Sequence, residues 1–186
     1  MNNIMFVLFT TVLFSCAHGK MGIVSQPLEK DTISKTVPMY VEVISTNEMH
    51  VTGDKANDTT RINDEKQIIA TRYNAMIADA LRKKGYNAQA VKDPQNKGIV
   101  ISGKVSRFDH GSGAARFWVG MGAGSSDMFT DLLIEDRTKK VTLSKFEVIA
   151  TSGGRGGLGA TGSFMDEHLL DGSEKAAAYI SGEEKK

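Results

Sequence analysis

Met128-Phe129-Thr130-Asp131-Leu132-Leu133-Ile134-Glu135-Asp136-Arg137-Thr138-Lys139-Lys140-Val141-Thr142-Leu143-Ser144-Lys145-Phe146-Glu147-Val148-Ile149-Ala150-Thr151 is the stretch on which the fold turns. Both halves show the alternation of a half-buried strand, and the polar Arg137 to Lys140 between them supplies a turn. The pattern predicts an antiparallel hairpin of Met128 to Asp136 with Val141 to Thr151. Leu132 and Ile134 then share one layer with Phe146, Val148 and Ala150, because cross-strand neighbours lie on one face. An apolar layer on a sheet needs a cover.

The cover lies upstream, between Asp64 and Lys84. Ile69, Tyr73, Met76, Ile77, Ala80 and Leu81 recur every three or four residues and form one apolar helical stripe, with Lys66, Asp79 and Lys83 outside it. Asp64 with Gln67 resembles a capping box. At the other end, Arg82-Lys83-Lys84 sets positive charge against the negative end of the helix dipole, and Gly85 supplies a left-handed stop. The trio reads as a stabilised helix end rather than a phosphate-binding patch.

The rest follows outward from these two elements. After Pro38, the segment Met39 to Ile44 reads as a strand with Met39, Val41 and Val43 on one face. Ser45 to Arg61 is rich in Asn, Asp, Thr and Gly and reads as an exposed loop. Tyr86 to Val91 is a short strand, Asp93 to Gly98 a turn, and Ile99, Ile101 and Val105 the inward side of a third strand. Ser173 to Ser181 predicts a short helix with Ser173 as its cap and Ala176, Ala177 and Ile180 inward. The expected fold is α/β of the α+β kind: a mostly antiparallel sheet of about five strands, packed by one long helix and a short C-terminal helix.

At the N-terminus, the apolar run Ile4 to Phe14 leads into Ser15-Cys16. It is too short for the roughly 20 residues of a permanent membrane helix and suits an export signal. Leu13-Phe14-Ser15-Cys16 resembles the lipobox of bacterial lipoproteins, which implies that Cys16 becomes the acylated first residue of the mature chain. Phe14 is bulkier than usual at its position, and Met1-Asn2-Asn3 carries no basic side chain, so the alternative is plain secretion with cleavage after Ala17 or Gly19. The expected organisation is a signal peptide over 1–15, a lipidated flexible tether over 16–37, one domain over 38–182 and a charged tail over 183–186. Cys16 is the sole cysteine, so the chain has no intrachain disulfide and no Cys-rich metal site. With 23 basic and 22 acidic side chains there is no global field for nucleic acid, and no nucleic-acid partner is expected.

Two glycine-rich segments, Gly111 to Gly124 and Gly153 to Gly162, remain. The second contains a literal G-x-G-x-x-G at Gly154, Gly156 and Gly159, but no strand follows it, as a dinucleotide site requires. In the first, Gly120, Gly122 and Gly124 have period two, which in an extended chain bares one face to a partner's backbone; the same glycines also suit a plain loop or bulge. Arg116 and Trp118 beside them make an interface, a membrane contact or a core site. The expected interaction surface is Arg116, Trp118, Gly120, Gly122 and Gly124.

With these residues in view, the chain resembles a family. Ile101-Ser102-Gly103-Lys104-Val105 leading to Gly111, then Arg116, Val119 to Gly124, and Leu132 to Asp136 followed by Val141, look like the bacterial lipoproteins of domain of unknown function 4410. The resemblance implies an exported, outer-membrane lipoprotein with an α/β sandwich. Its element order is also similar to that of curli-secretion and transport-accessory lipoproteins, an analogy of fold that transfers no function. Glu135 and Lys139 depart from the family turn Asp-x-x-Thr-Gly at its Asp and Gly positions.

No motif of catalysis stands out. His18, His50, His110 and His168 lack a second ligand at metal spacing and read as lone surface residues. Asp127, Asp131 and Glu135 differ in parity from Asp136, which separates them by strand face. No cofactor, metal or catalytic residue is expected. The expected function is a non-catalytic interaction or assembly and transport accessory module, anchored through Cys16 at the outer membrane, facing the periplasm and compatible with a homo-oligomer. The competing expectation is a soluble periplasmic ligand-binding protein or enzyme whose site only the fold assembles.

Overall fold

The computed structural model describes residues 21–29, 31–112, 125–152 and 164–183. Cys16, Arg116, Trp118, Gly120, Gly122 and Gly124 lie outside the described residues. In chain order the elements are β1 (Met21–Gln26), β2 (Met39–Val41), β3 (His50–Thr52), α1 (Thr59–Lys83), β4 (Ala88–Ala90), β5 (Ile99–Asp109), β6 (Ser126–Asp136), β7 (Val141–Ser152) and α2 (Phe164–Ile180). The seven strands form one sheet in the order β1-β7-β6-β5-β2-β4, with β3 pairing β5 further along the same edge as β2.

The hairpin is as the alternation predicts. β6 and β7 pair antiparallel with Leu132 opposite Phe146 and Met128 opposite Ala150, and this face is buried under the helices. β5 extends the antiparallel half with Ile101 opposite Ile134. The other half is parallel: β2 lies between β5 and β4, and β2, β3 and β4 all run parallel to their neighbours. The sheet is therefore mixed and has seven strands where the sequence predicts about five; its long ladders, β5 with β6 and β6 with β7, are antiparallel as expected, and the parallel pairings belong to the three-residue strands β2, β3 and β4. Strands of three residues carry almost no periodic signal, which is why β3 hides inside the supposed loop.

Local departures have local causes. The inward alternation of Met39 and Val41 passes to Ile44, while Val43 is exposed. Five residues, Val41 to Ser45, face four on β5, Ile101 to Lys104, and a one-residue slip turns every later side chain over. α1 begins five residues before Asp64, and its cap is Asp58, whose carboxylate accepts the Arg61 N–H at 3.1 Å. Its C-terminus follows expectation: Gly85 takes φ +87° and the Tyr86 N–H donates to the Leu81 carbonyl at 3.1 Å. α2 is 17 residues long, and Ser173 is buried in its middle, where its hydroxyl donates to the Leu170 carbonyl instead of capping.

The sheet also recruits part of the expected tether. Met21 to Gln26 pairs antiparallel with β7 as the outermost strand, in broken register, with Met21 opposite Val148 and Gln26 opposite Lys145. Beyond its reach α2 closes the same edge: the Asp171 carboxylate accepts the Thr151 N–H at 2.9 Å, and Lys175 Nζ donates to the Ile149 carbonyl at 2.7 Å. An edge finished in this way offers little unpaired backbone to another chain.

Candidate functional site

The glycine-rich segments leave the sheet at one end. β5 finishes at Asp109 opposite Asp127, β6 starts at Ser126 opposite Ser152 of β7, and α2 begins at Phe164. α1 also starts there, because the turn after β3 brings Asp54 within reach of Gly111, whose carbonyl accepts the Asp54 N–H at 3.2 Å. Gly53 in that turn has φ +84°, and a Cβ on it would stand 2.8 Å from the Gly111 oxygen, so both conformation and space demand glycine.

Under this end the core turns polar. Glu65 Oε1 accepts Arg61 Nε at 2.8 Å, and Glu65 Oε2 lies 3.2 Å from His110 Nε2. His110 packs edge-on against Phe108 at 4.7 Å and stacks on Phe164 at 6.2 Å, while the Arg61 guanidinium sits over Phe164 at 5.7 Å. His168 completes the cluster from α2, at 4.7 Å from Phe164 and 5.1 Å from Phe108. Its Nδ1 is 2.8 Å from the Phe164 carbonyl and its Nε2 is 3.0 Å from the Ser126 carbonyl. A neutral imidazole carries one N–H, so it donates to only one of these oxygens.

Burial dominates the electrostatics. It pushes the pKa of His110 down, against the opposing pull of the Glu65 carboxylate. It does the same to His168, against the carbonyls of Phe164 and Ser126. Both imidazoles are buried, which corrects their reading as surface residues. The side chains of Glu65 and His110 are 7% and 2% exposed, so the pair holds α1 onto β5 and offers little access to a substrate. A sequence signal for Glu65 existed: it stands four residues before Ile69, on the apolar stripe itself.

The opposite face of the sheet has no helix on it among the described residues. Asp127, Asp131 and Glu135 share that half-buried face and Asp136 lies on the other, as their parity requires. Arg107 stands over the Phe129 ring at 3.8 Å, and Lys104 pairs with Glu48. His50 borders a shallow depression there with Glu48, Met49, Lys104 and Asp131. At the far end Arg137 clasps Glu42 through both terminal nitrogens and donates from Nε to Glu135 at 3.1 Å. Among the described residues no group of three or more His, Cys, Asp or Glu side chains is placed to hold a metal ion.

A mixed sheet covered on one face by two helices defines a small α+β domain. The chain belongs to the family of the domain of unknown function DUF4410, whose model matches residues 39–182. No curated protein matches it. Among solved structures it is similar to the PelC dodecamer from Paraburkholderia phytofirmans, at 13% identity and a TM-score of 0.53, over 85% of this chain and 98% of that one. A DUF330 protein from Xanthomonas campestris aligns at 6% identity and a TM-score of 0.40, over 85% of this chain and 86% of that one. The PelC likeness is one of fold.

Proposed function

We propose that the protein is a non-catalytic accessory module of the cell envelope, held through a lipid on Cys16 at the outer membrane, facing the periplasm, and presenting the Arg116 to Gly124 segment to an envelope partner or to further copies of itself. The observation that carries this reading is the convergence of both glycine-rich segments on one end of a scaffold whose buried polar groups are spent on holding that end together. The homo-oligomer is supported by the PelC structure, which is a dodecamer on a similar fold. No described helix is long and apolar enough to cross a membrane; the proposed attachment is the acyl chain on Cys16.

The test is affinity capture of the native protein from membranes, with its assembly size measured by light scattering. A Gly122→Val variant should keep its melting behaviour and lose the captured partner or the assembly, whereas Gly157→Val in the other glycine-rich segment should retain them. Unfolding by Gly122→Val would assign these glycines to internal packing. A monomer that captures nothing would overturn the reading.

A further inference from the structure

We infer that the anchored protein stands on the lipid surface with the end that carries Asp54, Lys55, Gly111 and Ser112 toward the membrane and the Arg137 to Lys140 turn away from it. The inference rests on acylation of Cys16 and adds a direction to it.

Reach and strand polarity decide the direction. β1 starts at Met21, five residue steps from Cys16, and a fully extended chain of that length spans at most about 18 Å. β1 is antiparallel to β7 and Met21 pairs with Val148, so the N-terminal end of β1 is the end directed toward Ser152 and its C-terminal end, at Gln26, the end directed toward Val141. Ser152 lies four residues past Val148, roughly 14 Å at the rise of a strand, within the tether's reach. Val141 lies seven residues the other way, roughly 24 Å, outside it. The strand is pinned in this direction by side chains as well as by its ladder: Gln26 Nε2 donates to the Thr142 carbonyl at 2.8 Å, and Ser144 Oγ donates to the Gln26 carbonyl at 2.8 Å.

The rest of the domain is consistent with this placement. α1 and α2 both start at the near end, where Arg61 meets Phe164, and both finish at the far end, where Tyr86 Oη donates to the Ile180 carbonyl at 3.1 Å. Ile180 to Glu183 therefore lie at the end away from the lipid. Asp54, Asp58 and Asp109 share the near end with Lys55, Arg61 and Arg107, so the described charges of that end are mixed and do not by themselves draw it to anionic headgroups. The tether, and not surface charge, sets the orientation, and raising the salt concentration should leave it unchanged.

The experiment uses the sole cysteine to advantage, since acylation occupies its thiol. Lys55→Cys and Lys139→Cys, both at exposed positions, are labelled separately with one fluorophore in the lipidated full chain. The protein is reconstituted on phosphatidylethanolamine and phosphatidylglycerol vesicles that carry an energy acceptor on a headgroup. The label at position 55 should lie roughly 30 Å nearer the lipid, about the length of the β6–β7 hairpin, and transfer strongly where the label at 139 transfers weakly. Equal transfer would mean that the domain lies on its β1 edge, and stronger transfer from 139 would mean that it is inverted; either overturns the orientation while acylation stands. An N-terminal mass without a diacylglyceryl Cys16 would overturn the anchor and the orientation together.

Discussion

Glu65 Oε2 lies 3.2 Å from His110 Nε2, which joins the second turn of α1 to the residue just beyond β5. His168 lies at the same end of the core and has its own carbonyl partners on β6 and α2. Four elements, α1, β5, β6 and α2, thus meet around two imidazoles at the end of the sheet from which both glycine-rich segments leave.

Stability should fall as the pH drops below about 6.5, the ordinary histidine value, because burial keeps both imidazoles deprotonated in the fold while the unfolded chain takes up protons there. Above that value the two groups are neutral in both states and contribute no pH dependence. Asp136, held below the usual carboxylate range first by the Lys139 backbone N–H, loses its contribution only below about pH 4. Urea unfolding across this range should show the histidine step, and His168→Gln should reduce it. A flat profile from pH 7 to 5 would refute the assignment.

Gly172 should not tolerate a methyl group. A Cβ there would stand 2.3 Å from the hydroxyl of the fully buried Tyr73 and 3.2 Å from Cβ of Ala150. Gly172→Ala should destabilise by about 1–3 kcal/mol through overpacking, even though alanine is the better helix former. Tyr73→Phe removes the nearest atom, so the double variant should recover part of the loss, with a coupling of at least about 0.5 kcal/mol in a denaturation cycle. Simple additivity would show that the two residues do not meet.

Leu81→Ala and Ile77→Ala should each cost about 2–5 kcal/mol, since both side chains are fully buried between α1 and the sheet. Lys83→Ala, at an exposed position of the same helix, should stay within about 0.5 kcal/mol. Similar losses from both kinds of change would contradict the stripe.

Lys140→Gly should stabilise the β6–β7 turn by roughly 0.5–1 kcal/mol, because Lys140 is held at φ +58° where a side chain is strained. The left-handed residue is Lys140, one place after the position that the family turn assigns to glycine. Asp136 Oδ1 accepts the Lys139 N–H at 3.0 Å and Thr138 Oγ1 accepts the Gly98 N–H at 2.9 Å, so the rest of the turn is fixed independently. A lower melting temperature for the glycine variant would show that the gain in chain entropy on unfolding outweighs the strain.

By itself the sequence determined what repeats locally: the β6–β7 hairpin, the inward faces of β5 and α1, and the left-handed end at Gly85. Each is written in a period of two or 3.6, or in one residue's φ preference, and needs no distant partner to be read. The tertiary structure decided the rest. The six residues of β1 alternate with nothing recognisable, and they are a strand only because an edge of β7 lies open more than a hundred residues later. β4 lies parallel to β2 because helix α1 returns the chain between β3 and β4, and Gly172 sits inside α2 because Tyr73 needs its space. His110 and His168 looked solvated one at a time; burial came from three elements closing around Phe108, and desolvation is a property of neighbours that no spacing along the chain encodes.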